Sequence, residues 1–257
     1  MKKLLPAALL LGVLGCTPKA DSPEPESTKL PAEEPLLVAA DGTEIYGSLH
    51  ELDGANAIAL MFHQAGSNRA EYDPIYPRIN ERGIDCLIID QRSGGDMWET
   101  SNQTRAQFEE APRFLDAYPD LEAALAWAIE QEYETIIAWG SSYSASLVFK
   151  LASENDEIDV VVAYSPGEYF GGEGLVKEWC GATNASVIMA STAEELESGT
   201  LELFSNLPLH PEGEPQNQYF ARRQGAHGSS ALREDRNPET FEDYWNALEE
   251  NLERLSL

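Results

Sequence analysis

The nine residues Ala138-Trp139-Gly140-Ser141-Ser142-Tyr143-Ser144-Ala145-Ser146 decide the fold of this chain. Thr135-Ile136-Ile137-Ala138 runs into them as a short segment of strand formers, and Ala145 to Leu151 leaves them able to continue as a helix. Strand, tight turn of small residues, helix is the order in which Gly140-x-Ser142-x-Ser144 reads as a variant of the G-x-S-x-G elbow. In such a turn the central residue takes a strained backbone conformation, and its neighbours are small because strand and helix pass close together. The serine oxygen stands clear at the carboxyl end of the sheet, where the next amide can meet a developing negative charge. Ser144 departs from the usual glycine but is small enough to fit. Taken alone, the pentapeptide fits a structural turn as well as a catalytic one.

Working outward, the flanking segments alternate. Leu36 to Ala40 and Glu44 to His50 enclose Asp41-Gly42-Thr43, an Asp-Gly hairpin signal. Ala57 to Phe62 and Ile84 to Asp90 read as buried strands, and Ile158 to Tyr164 and Ser186 to Ser191 as further strands. Gln218 to Ala221 reads as a last strand. Between them a helix is expected from about Ala70 to Arg82, interrupted by Pro74 and Pro77. A second carries Leu121, Ala124, Leu125, Ala128 and Ile129 at helical spacing, with Asp120 as its cap. An acidic helix starts near Glu194. A closing helix has Asn237 as cap, Pro238 in first position and Phe241, Trp245, Leu248 and Leu252 as its apolar stripe. Buried strands alternating with helices after a hairpin predict an α/β fold: a doubly wound, mostly parallel sheet with helices on both faces. Ligand sites in such sheets lie at the carboxyl ends of strands. His63, the elbow, Glu195 and His227 all fall at such ends.

The chain has 257 residues, 42% of them hydrophobic, enough for one core. With 17 Lys+Arg against 45 Asp+Glu its formal net charge is −28, which argues against nucleic acid as a partner. Met1-Lys2-Lys3 followed by an apolar run to Gly15 has the form of a signal peptide, too short to span a membrane as a mature helix. It ends in Val13-Leu14-Gly15-Cys16, which resembles the lipobox of bacterial lipoproteins. That resemblance implies cleavage after residue 15, a lipid on Cys16, and, with Thr17 next, a place in the bacterial cell envelope at the outer membrane. Residues 16–34, rich in Pro, Glu, Ser and Lys, read as a disordered tether, leaving 35–257 as the folded domain. Cys86 and Cys180 then remain; Cys86 sits in an apolar run as a small hydrophobe, and a disulfide between the two is left open.

From Leu36 to the end the chain resembles the α/β-hydrolases, and among them the small dienelactone-hydrolase-like members. The resemblance rests on His63-Gln64-Ala65-Gly66, Asp90-Gln91-Arg92-Ser93-Gly94-Gly95, the elbow, an acid after Ser191, and Gly225-Ala226-His227-Gly228, in the chain order nucleophile, acid, histidine. It implies a hydrolase of small esters, thioesters or lactones that works through an acyl-enzyme, needs no cofactor or metal, and uses a Ser-His-Glu triad. Ser142 is the nucleophile and His227 the base. Of the other histidines, His63 shapes the loop after its strand, His50 lies in an early strand, and His210 lies between prolines in a loop. Glu195 is the acid by family spacing; Glu194 and Glu168 remain candidates. The backbone N–H groups of Gln64 and Tyr143 would form the oxyanion hole. Only Asp96 to Tyr118 is long enough to serve as a lid, so the site is expected to be open. Two other classes remain: a non-catalytic binding or scaffold module on this fold, and a peptidase of the same fold.

Overall fold

The computed structural model describes residues 35–172, 174–208 and 217–257. The leader, Cys16, the tether and His210 lie outside them. Leu37–Val38 (β1) and Glu44–Ile45 (β2) form an antiparallel hairpin with Leu37 opposite Ile45. After it come Gly47–His50 (β3), Ala57–Phe62 (β4), Tyr76–Asn80 (α1), Ile84–Ile89 (β5), Tyr118–Glu130 (α2), Thr135–Ser141 (β6) and Tyr143–Glu154 (α3). The second half runs Val160–Tyr164 (β7), Leu175–Ala182 (α4), Ser186–Thr192 (β8), the single turn Ala193–Glu195 (α5), Leu201–Ser205 (α6), Gln218–Arg222 (β9) and Phe241–Arg254 (α7).

Seven strands form one sheet in the order β3-β5-β4-β6-β7-β8-β9, all parallel except β3, which runs antiparallel to β5. The sequence expectation of one strand from Glu44 to His50 is refined: the run divides at Tyr46, and its second half leaves the hairpin to join the large sheet. The order reverses at β4, whose neighbours are β5 on one side and β6 on the other, with Phe62 level with Gly140. Strand-order reversals of this kind are where sites form in open α/β sheets.

Period-two alternation sorts the strand side chains into two cores. On β4, Ile58, Leu60 and Phe62 face α2 and α3, whereas Ala59 and Met61 face the layer that contains Ile79 of α1 and Trp245 and Leu248 of α7. Cys86 and Cys180 are buried in different cores and are unpaired, so the disulfide left open by the sequence does not form.

Three helix boundaries differ from the sequence reading, each because of a proline or a tertiary contact. The expected helix from Ala70 breaks into a 3-10 turn, Arg69–Tyr72, and α1; Pro74, which lacks an N–H, falls between them. Asn237 opens a turn, with its carbonyl accepting from Phe241 N–H at 2.9 Å, and α7 proper begins only at Phe241. Asp120 is not the cap of α2, which starts two residues earlier. Its buried carboxylate instead takes the backbone N–H of Arg92 (2.8 Å) and the guanidinium Nε (3.0 Å) and Nη2 (2.6 Å). Arg92 also pairs with Asp41 of the hairpin turn. One ion cluster, with Arg92 and Asp120 buried and Asp41 exposed, thus joins the end of β5, the start of α2 and the N-terminal hairpin.

Removing one partner of such a pair leaves the other charged and buried. Asp120→Ala is expected to cost about 3–5 kcal/mol, and at roughly 2–4 °C per kcal/mol for a domain of this size the melting temperature should fall by on the order of 10 °C. A drop under about 2 °C in a thermal melt would show that Arg92 is satisfied without Asp120.

Candidate active site

The elbow follows from local sterics. Ser142 holds φ 59° and ψ −122°, between the last residue of β6 and the first of α3. A Cβ on Gly140 would stand 2.3 Å from Ser144 O and 2.4 Å from Ala145 N, so only glycine lets the helix start this close to the strand. The peptide is tied down by Ser142 N–H to Tyr164 O at 2.8 Å and by Ala145 N–H to Ser142 O at 2.9 Å. Ser144, the departure from the usual glycine, has a use of its own. Its hydroxyl donates to His63 O at 2.6 Å and accepts from Gln91 Nε2 at 2.9 Å, fastening the elbow to the end of β4.

Three sequence-expected residues meet here. His227 Nε2 lies 2.7 Å from Ser142 Oγ, and its Nδ1 lies 2.5 Å from Glu195 Oε1. Glu195 is placed by a capping box: its backbone N–H bonds Thr192 Oγ1 at 3.3 Å while its Oε2 accepts Thr192 N–H at 2.8 Å. The same Oε2 accepts the Ser165 hydroxyl at 2.7 Å. Burial pushes the Glu195 carboxyl up, but the hydrogen bonds from His227, Thr192 and Ser165 outweigh it and hold the group below its ordinary value. The other two candidate acids stand elsewhere. Glu194 is exposed. Glu168 caps α4, accepting the N–H groups of Val176 and Lys177 at 3.0 Å each.

The loop carrying His227 is held from below by serines. Gly228 N–H donates to Ser165 Oγ at 3.0 Å, and Ser229 N–H to Ser141 Oγ at 2.8 Å. Neither Ser141 nor Ser165 was singled out as a site residue from sequence, because both contacts join residues more than sixty positions apart.

The loop after β4 departs from expectation. His63 is fully buried; its Nδ1–H donates to Gln64 O at 2.8 Å while its Nε2 accepts Gln91 N–H at 2.9 Å, which fixes the neutral tautomer. Burial, ahead of any charge, holds the ring below its ordinary value. Gln64 N–H, expected to line the oxyanion hole, is donated instead to Glu71 Oε2 at 2.8 Å. That expectation is corrected: the amide is already satisfied in the interior. A trans peptide sets its C=O and the following N–H on opposite sides. Since Gln64 O points at the buried His63 ring, Ala65 N–H points away from it, and among the described residues it makes no hydrogen bond. Tyr143 N–H lies in the first turn of α3, where no helical carbonyl can reach it.

Two depressions meet at Tyr169. A cleft of about 750 Å³, bounded by Glu195, Tyr169, Gly171, Lys177 and Thr200, opens on one side. A mostly apolar groove of about 350 Å³, walled by Pro112, Arg113, Phe114, Leu115, Tyr169 and Phe170, lies on the other. The Tyr169 phenol donates to Ser165 O at 2.9 Å. Phe114 stacks on Tyr143 with ring centroids 4.6 Å apart. The cleft thus reaches the relay at Glu195, and the groove reaches the elbow through Phe114 on Tyr143.

No family model and no curated protein sequence matches the chain. Solved structures do. It is similar to an esterase from Pyrococcus furiosus (17% identity, TM-score 0.62, covering 85% of this chain and 90% of that one). It is also similar to an acetyl xylan esterase from Paenibacillus sp. R4 (16%, TM-score 0.55, 74% and 76%) and to a dienelactone hydrolase from Anabaena variabilis (16%, TM-score 0.50, 74% and 83%). At these identities the likeness is one of fold: the chain has the α/β-hydrolase fold.

Gly140→Ala tests the elbow sterically. Because the clashes are with backbone, the substitution should cost at least about 4 kcal/mol, seen as a melting temperature lowered by roughly 8–16 °C. A melt within 2 °C of the parent would mean that the strand and helix can separate freely there.

Proposed function

We propose that the protein is a serine hydrolase that cleaves small carboxylic esters, including thioesters or lactones, through an acyl-enzyme on Ser142. The observation that carries this is the continuous relay from Ser142 Oγ through the His227 ring to Glu195, set at the carboxyl edge of the sheet beside the strand-order reversal. The likeness in fold to esterases supports the same reading.

In this mechanism His227 Nε2 takes the Ser142 proton as Oγ attacks the acyl carbon, and Glu195 holds Nδ1–H so that the other ring nitrogen is free to accept. The carbonyl oxygen, now negative, is met by the amides of Tyr143 and Ala65. Collapse of the tetrahedral intermediate expels the alcohol, which leaves with the proton from His227. Water, deprotonated by the same ring, then cleaves the acyl-serine. The apolar groove beside Phe114 and Leu115 receives the acyl group, and its volume suits a short alkyl or single-ring acid. The larger cleft beyond Tyr169 takes the leaving alcohol.

A fluorophosphonate should label the protein at Ser142 and nowhere else. Ser142→Ala should abolish labelling and reduce turnover about 10⁴–10⁶-fold. Glu195→Gln should cost about 10²–10⁴-fold, with Glu194→Gln and Glu168→Gln under about tenfold on the same ester. Full activity in Glu195→Gln alongside a crippled Glu168→Gln would move the acid to the end of β7.

Leu115 is partly exposed at the groove, so Leu115→Trp should fill it without affecting folding. On p-nitrophenyl esters of one leaving group, kcat/KM for the benzoate should fall about tenfold relative to the acetate. An unchanged ratio would place the acyl group outside the groove.

A further inference from the structure

Beneath the triad lies a carboxylate that the proton relay does not use. Glu71 belongs to the 3-10 turn after the β4 loop and is fully buried. Its Oε2 accepts Gln64 N–H at 2.8 Å; its Oε1 accepts the Ser141 hydroxyl at 2.7 Å and Gln64 Nε2 at 3.2 Å. Both donor residues continue the network. Ser141 Oγ accepts Ser229 N–H at 2.8 Å, and Gln64 Nε2 lies 3.2 Å from Ser230 Oγ. One side chain therefore joins the loop after β4, the residue before Ser142 and the loop after His227.

Fold stability does not account for a charge here. The three donors are neutral. Arg233, which acts on Glu71 through space, gives Nη1 to the carbonyls of Ala70 and Glu71 and its other nitrogens to Asp235. Burial is the largest influence on the Glu71 carboxyl. It exceeds the opposing effects of Gln64, Ser141, Arg233 and His227, so the group lies above its ordinary value. A carboxyl raised in the folded state favours folding only below its unfolded range, and that contribution is lost as pH climbs through the folded value. The ionised form of the group therefore works against the fold.

We propose that Glu71 is the positioning residue of the oxyanion site. With Gln64 O bound to His63 and Gln64 N–H bound to Glu71, both peptides flanking Gln64 are fixed, and Ala65 N–H is held facing away from the buried His63 ring, free to serve as the oxyanion donor that the mechanism assigns to it. Through Ser141 the same carboxylate sets the height of the elbow against the His227 loop. Glu71 touches no substrate; it acts by holding an amide that does.

This inference rests on the acyl-enzyme reading, and the test separates the two. Parent, Glu71→Ala, Glu71→Asp and Glu71→Gln are compared for kcat, KM, melting temperature and inhibition by a short alkylboronic acid, whose serine adduct places an oxygen in the oxyanion site. Losing one oxyanion donor costs on the order of 10²–10³-fold. Glu71→Ala should lose about 100-fold in kcat and a similar factor in boronate affinity, with KM within about threefold. Glu71→Gln, which keeps an acceptor for Gln64 N–H, should recover to within about tenfold and melt no lower than the parent. Should Glu71→Ala not fold, Glu71→Asp decides in its place: it keeps the charge but is too short to reach Gln64, and should lose boronate affinity likewise. Parent-like boronate affinity in the folded variants, or a kcat loss matched by a lowered melting temperature alone, overturns the role. A parent enzyme that neither binds boronate nor accepts fluorophosphonate overturns the hydrolase reading instead.

Discussion

Everything at this site depends on one unfavourable backbone conformation. A serine at φ 59° and ψ −122° costs on the order of 1–3 kcal/mol and persists only because its surroundings leave no alternative. Gly140 lets α3 start against β6, and Tyr164 O takes the Ser142 amide across to β7. Ser144 then ties the first turn of α3 to the end of β4. Ser165 also holds a positive φ, 57°, at the end of the adjacent strand. Its hydroxyl links Glu195 to Gly228 and its carbonyl accepts the Tyr169 phenol. The two strained serines sit just past the ends of neighbouring parallel strands, and the relay is assembled on top of them. Strain is concentrated at the chemistry while the sheet below it is regular, which is the distribution expected of a functional site on a rigid scaffold.

The sequence carried most of the scaffold because the scaffold is built from local signals. β4 is an unbroken apolar run and β5 is broken only by Asp85; their alternate residues fill two different cores, as the strands of a buried parallel sheet do. The choice among Glu168, Glu194 and Glu195 was also more legible than strand counting alone made it. Thr192-Ala193-Glu194-Glu195 has the threonine and the glutamate of a capping box three residues apart. That spacing singles out Glu195 as the carboxylate turned back over the strand end, and it leaves Glu194 facing solvent. Glu168 has a local reason as well, since α4 begins at Gly174 with no side chain of its own to cap it.

What was not legible is long-range. Asp120 carries the ordinary mark of a helix cap, yet Arg92, twenty-eight positions earlier, claims it. Gln64 occupies a plausible place for an oxyanion amide, and only the buried carboxylate of Glu71 shows that its N–H faces inward. No periodicity or motif marks Glu71; in the sequence it is one acid among forty-five acidic residues. The His227 loop is the extreme case. Its height above the elbow is set by Ser141 and Ser165, which belong to other strands.

Two glutamates near one histidine are shifted in opposite directions because their surroundings differ. Glu195 is half-buried, accepts three hydrogen bonds, and has His227 as one of its donors. Those bonds overcome burial, so the carboxylate stays charged and can orient an imidazole and stabilise its cation. Glu71 is wholly buried among neutral donors, and there burial dominates. A strongly ionised second carboxylate hydrogen-bonded to His227 would compete with Glu195 for the ring and blur the choice of tautomer. Placed one layer lower, on Gln64 and Ser141, Glu71 reaches the ring only through space. The same residue type can therefore orient the base in one position and hold an amide in the other, and the separation between the two roles is set by depth below the surface.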